Sequence, residues 1–194
     1  MQNLFKMKVK LVLLFVLSLS AYAFGQASFR TASFTMSVKG SSNLHDWESQ
    51  VNEVRATGSM SVDAGALQSI QALTVEIVSK SIKSAKGSIM DKKTYDALKA
   101  DKFPTITFKL EKATVAKKGD SYDVSATGSL MIAGATNKVD LAVRGKVGSD
   151  GSITFTGSKK LKMTDYKIKP PTALLGTMTV GDEVEIVFKL TLKP

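Results

Sequence analysis

The chain has 194 residues, of which 43% are apolar and 23% charged, and a formal net charge of +10. This balance is that of one globular domain, and it excludes a disordered chain and a collagen-like repeat. With no cysteine and one histidine, the sequence also excludes a disulfide scaffold and a zinc site built from several Cys or His ligands.

Residues 1–25 have the pattern of a secretory signal peptide. Three lysines precede an almost entirely apolar run at residues 11–19, and an A-x-A cleavage sequence ends at Ala23. We expect cleavage after Ala23 or after Gly25, which leaves residues 26–194 as one domain. Loss of the three lysines lowers the net charge to +7. Because there is no cysteine to carry a lipid, we expect a periplasmic or secreted protein that is not lipidated.

From Ser28 onward, apolar and polar residues alternate with period two, which indicates strands with one buried and one exposed face. A change of phase between Val51 and Val54 predicts a β-bulge near Asn52. The runs are separated by turn sequences rich in Gly, Asp and Asn, and we interpret them as about eight strands. Their apolar rows begin at Phe34, Val54, Leu73, Ile106, Tyr122, Val139, Ile153, Leu161 and Ile186.

One segment departs from the alternation. Met90, Thr94, Ala97 and Leu98 have helical spacing, and the proline at 104 cannot continue a helix. The sequence therefore predicts one short amphipathic helix over residues 90–100, inserted between the third and fourth strands.

The strands suit either a barrel or a two-sheet sandwich, because period alone does not separate the two. The runs at 54–62 and 122–132 are longer than ordinary strands, which favours a tall barrel. We therefore predict an all-β fold, a single eight-stranded antiparallel barrel. Residues 164–176 lack the alternation and contain two prolines, so we expect this loop either to plug one end of the barrel or to form a lid.

Three segments resemble the YceI-like family in order and separation: residues 101–108 (DKFPTITF), 130–139 (LMIAGATNKV) and 180–186 (VGDEVEI). The resemblance implies a lipocalin-like, eight-stranded antiparallel barrel with a helix near one end, exported in bacteria. It also implies an elongated apolar tunnel that binds an isoprenoid chain, such as a quinone tail, or another long lipid.

The barrel interior can be filled by its own side chains, but small residues in the inward rows leave room. Together with the resemblance, they favour a cavity. The candidate contacts for an apolar chain are Phe34, Met36, Val38, Ala56, Gly58, Phe108, Leu110, Gly128, Leu130, Leu141, Phe155 and Phe188. The candidates for a mouth or lid are His45, Trp47, Leu174 and Leu175.

Catalysis is not expected. Neighbours in an extended segment point to opposite faces, so Asp46 is poorly placed to orient His45. The sequence contains no G-x-S-x-G motif and no cysteine nucleophile. We also predict no metal ligands and no cofactor, because no ligand or glycine spacing fits one.

The net charge is concentrated in residues 80–118, which hold eleven lysines and four acids. These lysines are interpreted either as a solubilising face or as a contact for an anionic membrane surface or a phosphate-bearing lipid. The candidates for that contact are Lys86, Lys92, Lys93 and Lys99. No aromatic-studded basic groove is present, so nucleic acid is not an expected partner.

Taken together, these features predict a non-enzymatic carrier that holds a long apolar lipid, in particular an isoprenoid chain, outside the cytoplasm. The alternative is an exported interaction or stress-protective protein with a solid core. Its working surface would then be a patch formed by Trp47, Val51 and residues 173–175.

Overall fold

A computed structural model of the chain describes residues 27–173 and 176–194. The signal peptide predicted at 1–25 and the lid candidates Leu174 and Leu175 lie outside these residues. The elements, in chain order, are β1 (Ala27–Ser42), β2 (Trp47–Val51), β3 (Val54–Asp63), β4 (Ala66–Val78), β5 (Ile82–Ser84), α1 (Ser88–Leu98), β6 (Thr105–Lys118), β7 (Ser121–Ile132), β8 (Ala135–Val147), β9 (Ile153–Lys162), β10 (Thr172–Ala173) and β11 (Met178–Lys193).

Eight strands of the described chain form a closed antiparallel barrel, in the order β1-β3-β4-β6-β7-β8-β9-β11. β11 returns to β1, and their pairing runs from Arg30 and Lys193 to Ser42 and Val180. Closure removes the free edges that a sandwich keeps. The eight-stranded barrel predicted from the alternation is therefore confirmed. Of the other three strands, β2 follows β3 along β1, and β5 and β10 are short additions.

The strand predicted to bulge near Asn52 is broken there instead. β1 pairs with β3 through its first residues and with β2 through its last. At the break, the Asn52 amide donates to the carbonyl oxygen of Ser81 at 3.1 Å, and the Glu53 amide donates to the Ser81 hydroxyl at 3.1 Å. The alternation does change phase here, but the cause is a break between β2 and β3, because β2 turns away to pair with β5.

One end of the barrel is filled by its own side chains. Phe29, Met60, Ile153 and Leu192 are each at most 1% exposed. They come from the first residues of β1 and β9 and from the later residues of β3 and β11. Burial of four large apolar side chains at this level contributes about 1.5–3 kcal/mol each and closes this end.

Helix α1 covers the opposite end. It lies between β4 and β6, the third and fourth strands of the barrel, as predicted, and it begins at Ser88 rather than Met90. The Asp91 carboxylate accepts a hydrogen bond from the Ser84 amide at 2.7 Å. The Tyr95 hydroxyl donates to the carbonyl oxygen of Lys80 at 2.8 Å. These contacts fix the helix over the barrel. No helix in the described ranges is long and apolar enough to cross a membrane.

The loop after β9 also lies over this end. It begins with a 3-10 turn, Met163–Tyr166, and continues to β10, which pairs with β11. Tyr166 and Ile168 are 2% and 5% exposed and pack against Leu161 and Val139. The inward-facing residues of this loop are therefore Tyr166 and Ile168, and the lid candidates Leu174 and Leu175 lie outside the described residues.

Candidate functional site

The middle of the barrel contains a cavity of about 170 Å³, called here the inner chamber. Its wall is formed by inward side chains of the barrel strands, all of them apolar except Lys159. Eight of the twelve predicted chain contacts line it: Met36, Val38, Phe108, Leu110, Leu130, Leu141, Phe155 and Phe188.

A second cavity of about 170 Å³, the mouth chamber, lies between the barrel and α1. Met90, Thr94, Ala97 and Leu98, whose helical spacing predicted an apolar helix face, all line it. The two chambers share lining residues from six different segments and therefore adjoin each other. These shared residues are Val38, Ile82, Ile106, Ile132, Leu161 and Ile186.

Four predicted chain contacts do not line either chamber. Phe34 and Ala56 pack in the core. A Cβ on Gly58 would lie 2.7 Å from the carbonyl oxygen of Ala72, and a Cβ on Gly128 would lie 2.6 Å from the ring of Phe108. The small residues at 58 and 128 thus make room for neighbouring protein atoms and leave no space for a ligand.

Trp47 and His45 border the mouth chamber. The Trp47 indole N–H donates to the carbonyl oxygen of Ser41 at 3.1 Å, and its ring lies against Gly40, where a Cβ would be 2.4 Å from the ring. The His45 ring nitrogen Nδ1 lies 2.9 Å from the backbone carbonyl oxygen of Asp46. The Asp46 carboxylate is not the group that orients this imidazole.

The alternative function requires an exposed patch that includes Trp47 and Val51, and Val51 is not exposed. Val51 is 5% exposed and lines the inner chamber. Ser49, on the same face of β2, is also buried at 5% exposure. This face of β2 therefore belongs to the barrel interior and is not available to a protein partner.

The four candidate lysines divide into two pairs. Lys86 and Lys93 line the mouth chamber, and the Lys93 ammonium donates to the carbonyl oxygen of Thr172 at 2.8 Å. Lys92 and Lys99 are exposed on α1 and just after it, and Lys92 pairs with Asp96 at 3.2 Å.

Two large apolar side chains are exposed at the same end of the barrel. Leu44 is 59% exposed in the turn between β1 and β2, and Ile89 is 74% exposed in the first turn of α1. Among the described residues, these two are the large hydrophobic side chains that are exposed to solvent. They stand beside the lysines that border the mouth chamber, so this end combines positive charge with exposed apolar surface.

The motif segments at 101–108 and 130–139 meet beside α1. A Cβ on Gly134 would lie 2.3 Å from the ring of Phe103, and Gly134 has a φ of +83°. In the segment at 180–186, the Asp182 carboxylate accepts hydrogen bonds from the Thr164 amide at 2.9 Å and hydroxyl at 2.6 Å. These bonds hold the pKa of Asp182 below its usual value. Residues of the three motif segments therefore fix the positions of the loops that surround the chambers.

In the ranges 27–173 and 176–194, no group of three or more His, Asp or Glu side chains is placed to hold a metal ion. The model of the YceI-like domain matches residues 25–192. The chain belongs to the YceI-like family. No curated protein matches the sequence.

Solved structures similar to this YceI-like protein share its fold. The crystal structure of Burkholderia cenocepacia BcnA has 21% identity and a TM-score of 0.63, covering 83% of this chain and 96% of its own. A polyisoprenoid-binding domain of Saccharophagus degradans, implicated in plant cell wall breakdown, has 15% identity and a TM-score of 0.64, covering 87% and 99%. The Campylobacter jejuni YCEI protein has 23% identity and a TM-score of 0.57, covering 74% and 82%.

Proposed function

We propose that this YceI-like protein is an exported, non-enzymatic carrier that holds a long apolar lipid chain, in particular an isoprenoid, inside the barrel. The chain occupies the inner chamber and extends through the mouth chamber toward α1. The lipid is shielded from water in this position, which a carrier outside the cytoplasm requires because a free isoprenoid chain is insoluble.

The observation that carries the proposal is the pair of adjoining apolar chambers inside the barrel. A side-chain core of normal density leaves few voids larger than a water molecule, whereas here two adjoining chambers of about 170 Å³ each lie in the barrel and under α1. Empty apolar cavities cost stability, so a chain that fills them is favoured. The polyisoprenoid binding of the similar Saccharophagus degradans domain supports an isoprenoid as the occupant.

The mature protein also docks transiently on an anionic membrane surface with the α1 end, where it collects or delivers its lipid. Lys86, Lys92, Lys93 and Lys99 lie on or beside α1, and clustered lysines near an anionic bilayer contribute about 1 kcal/mol each. Exposed Ile89 and Leu44 supply apolar contact with the interface in the same orientation.

Organic extraction of the protein purified from its native host, followed by mass spectrometry, tests the carrier function. We expect a long-chain lipid in near-stoichiometric amount. Added geranylgeraniol should raise the melting temperature of delipidated protein, because a ligand that binds only the folded state stabilises it by mass action. It should also shift the fluorescence of Trp47, the single tryptophan of the chain. Repeated extracts without lipid, together with no response to geranylgeraniol, would exclude the carrier function.

A further inference from the structure

Lys159 is a positive charge in an apolar wall. On β9 it shares the inward face with Phe155 and Leu161, and the other residues that line the inner chamber are apolar. Its neighbour Lys160 points outward and pairs with Glu183 at 2.8 Å. No ion pair of the described residues involves the Lys159 ammonium. Lys159 is half-buried, and a charge partly removed from water is stabilised by an anionic partner.

The hydrogen-bond ladder of the barrel wall is interrupted beside Lys159. The ladder between β8 and β9 extends from Val147 and Ile153 to Val143 and Gly157 and stops there. The outer neighbours of these strands stay paired, since β7 pairs with β8 as far as Ala135 and β11 pairs with β9 as far as Lys162. Residues 135–142 and 158–162 therefore face each other without a ladder.

Two residues at this gap contact both the inside of the barrel and its surface. Lys159 and Leu161 line the inner chamber and also a groove on the outer surface between β8 and β9. The ladder between β4 and β6 is also short, but the chamber residues beside it, such as Ile70 and Leu110, are apolar. The gap between β8 and β9 differs from the one between β4 and β6 because a charged residue, Lys159, lines the chamber beside it.

A second donor lies in the same gap. Tyr166 is 2% exposed and lines both the outer groove and the mouth chamber. Its hydroxyl is buried and makes no close hydrogen bond in the described part of the chain, although the Asn137 amide is near enough to interact weakly. The Asn137 amide, which lines the same groove, donates instead to the Asp165 carbonyl oxygen at 2.8 Å. Burial raises the pKa of Tyr166, so the phenol keeps its proton at neutral pH.

We propose that the gap between β8 and β9 is a headgroup site, where Lys159 and Tyr166 bind the anionic end of a long-chain lipid whose tail lies in the inner chamber. Both side chains offer donors, and the ammonium adds a positive charge, so the complementary group is an oxygen anion, either a carboxylate or a phosphate monoester. This inference rests on the proposed function, because it needs a chain inside the barrel.

The test compares lipids that differ only in the head. Hexadecanoic acid is measured against hexadecanol, and geranylgeranyl monophosphate against geranylgeraniol, with Trp47 fluorescence of delipidated protein as the readout. We expect Lys159→Met to weaken binding of the anionic lipids about tenfold, the loss of a charge-assisted hydrogen bond, and to leave the alcohols unchanged. A loss confined to the carboxylate or to the phosphate identifies the natural head.

Two further variants locate the contact. Lys160→Met removes a charge from the outer side of the same strand, and we expect it to leave all four affinities unchanged. Tyr166→Phe should weaken binding of the anionic lipids about threefold with little change in melting temperature, because the hydroxyl makes no close hydrogen bond to the described residues.

The outcomes separate the two proposals. If the alcohols bind the wild type and the acids bind no more tightly, or if Lys159→Met changes acids and alcohols alike, the headgroup site is wrong and the carrier function stands. An equal loss in Lys160→Met places the head on the outer surface and also overturns the site. If none of the four lipids binds the folded wild type, the carrier function fails with it.

Discussion

Gly128 lies against the ring of Phe108, and its size is needed for packing. A Cβ at this position would be 2.4 Å from the carbonyl oxygen of Lys109 and 2.6 Å from that ring. We expect Gly128→Ala to destabilise the fold by about 1–3 kcal/mol, the usual cost of overpacking, as measured by urea denaturation.

Gly145 is the matched control, because a Cβ there would have its nearest contact at 3.4 Å, on the ring of Phe155. Gly145→Ala should change the unfolding free energy by less than about 1 kcal/mol. If the two variants are equally stable, the ring of Phe108 moves freely into the inner chamber and Gly128 has no packing role.

Asp182 anchors the turn at Met163–Tyr166 through its hydrogen bonds from Thr164. A carboxyl with a lowered folded pKa stabilises the fold above its unfolded pKa, and this contribution is lost as the pH falls through the folded pKa. The difference in melting temperature between wild type and Asp182→Asn should therefore be largest near neutral pH and shrink below about pH 4. A difference that is the same at pH 7 and pH 3 would show that the charge of Asp182 does not hold the turn.

Lys159 shows where sequence reasoning missed a candidate site residue. The alternation places Ile153 and Phe155 in one run and Leu161 in another, although all three lie on the inward face of one strand, β9. Gly157 and Lys159 interrupt the apolar row between them. A charged residue on an otherwise apolar face of period two is the signal that could have identified it.

At the scale of elements, alternation was sufficient for the barrel strands, because each buries one face against a common interior. It also identified α1, since the change from period two to helical spacing is local. It did not predict the break between β2 and β3, which depends on hydrogen bonds to Ser81, far away in the sequence. It could not reveal the gap between β8 and β9, because the end of a ladder is not encoded in either strand's alternation.

The proposed binding to anionic membranes depends on the lysines at the α1 end of the barrel. We expect the variant with Lys86, Lys92, Lys93 and Lys99 all changed to Gln to lose binding to anionic vesicles at low salt, with lipid capacity in detergent unchanged. Screening over about 8 Å at physiological ionic strength should weaken wild-type binding in the same assay, which is vesicle co-sedimentation.

A control with the same loss of charge uses four exposed lysines of β6. These are Lys109, Lys112, Lys117 and Lys118. Their replacement by Gln should leave vesicle binding largely intact. If both quadruple variants bind alike, total charge governs adsorption and the α1 end has no special role.

Filling the inner chamber should affect the stability of the fold and its lipid affinity in opposite directions. Ala126 faces the inner chamber, and Ala126→Leu fills part of it. We expect the lipid-free variant to be as stable as the wild type or up to about 2 kcal/mol more stable, while its affinity for geranylgeraniol falls. Ala142→Leu, on the exposed face of β8, should change neither property. Unchanged affinity in Ala126→Leu would mean that the chain does not enter the inner chamber.

An apolar chain that runs through the barrel would be visible in a crystal structure of delipidated protein loaded with geranylgeraniol. We predict continuous ligand density from the mouth chamber, past the shared residues Ile106, Ile132 and Ile186, into the inner chamber beside Phe108. Ligand density confined to the outer surface, with both chambers closed by their own side chains, would contradict the account.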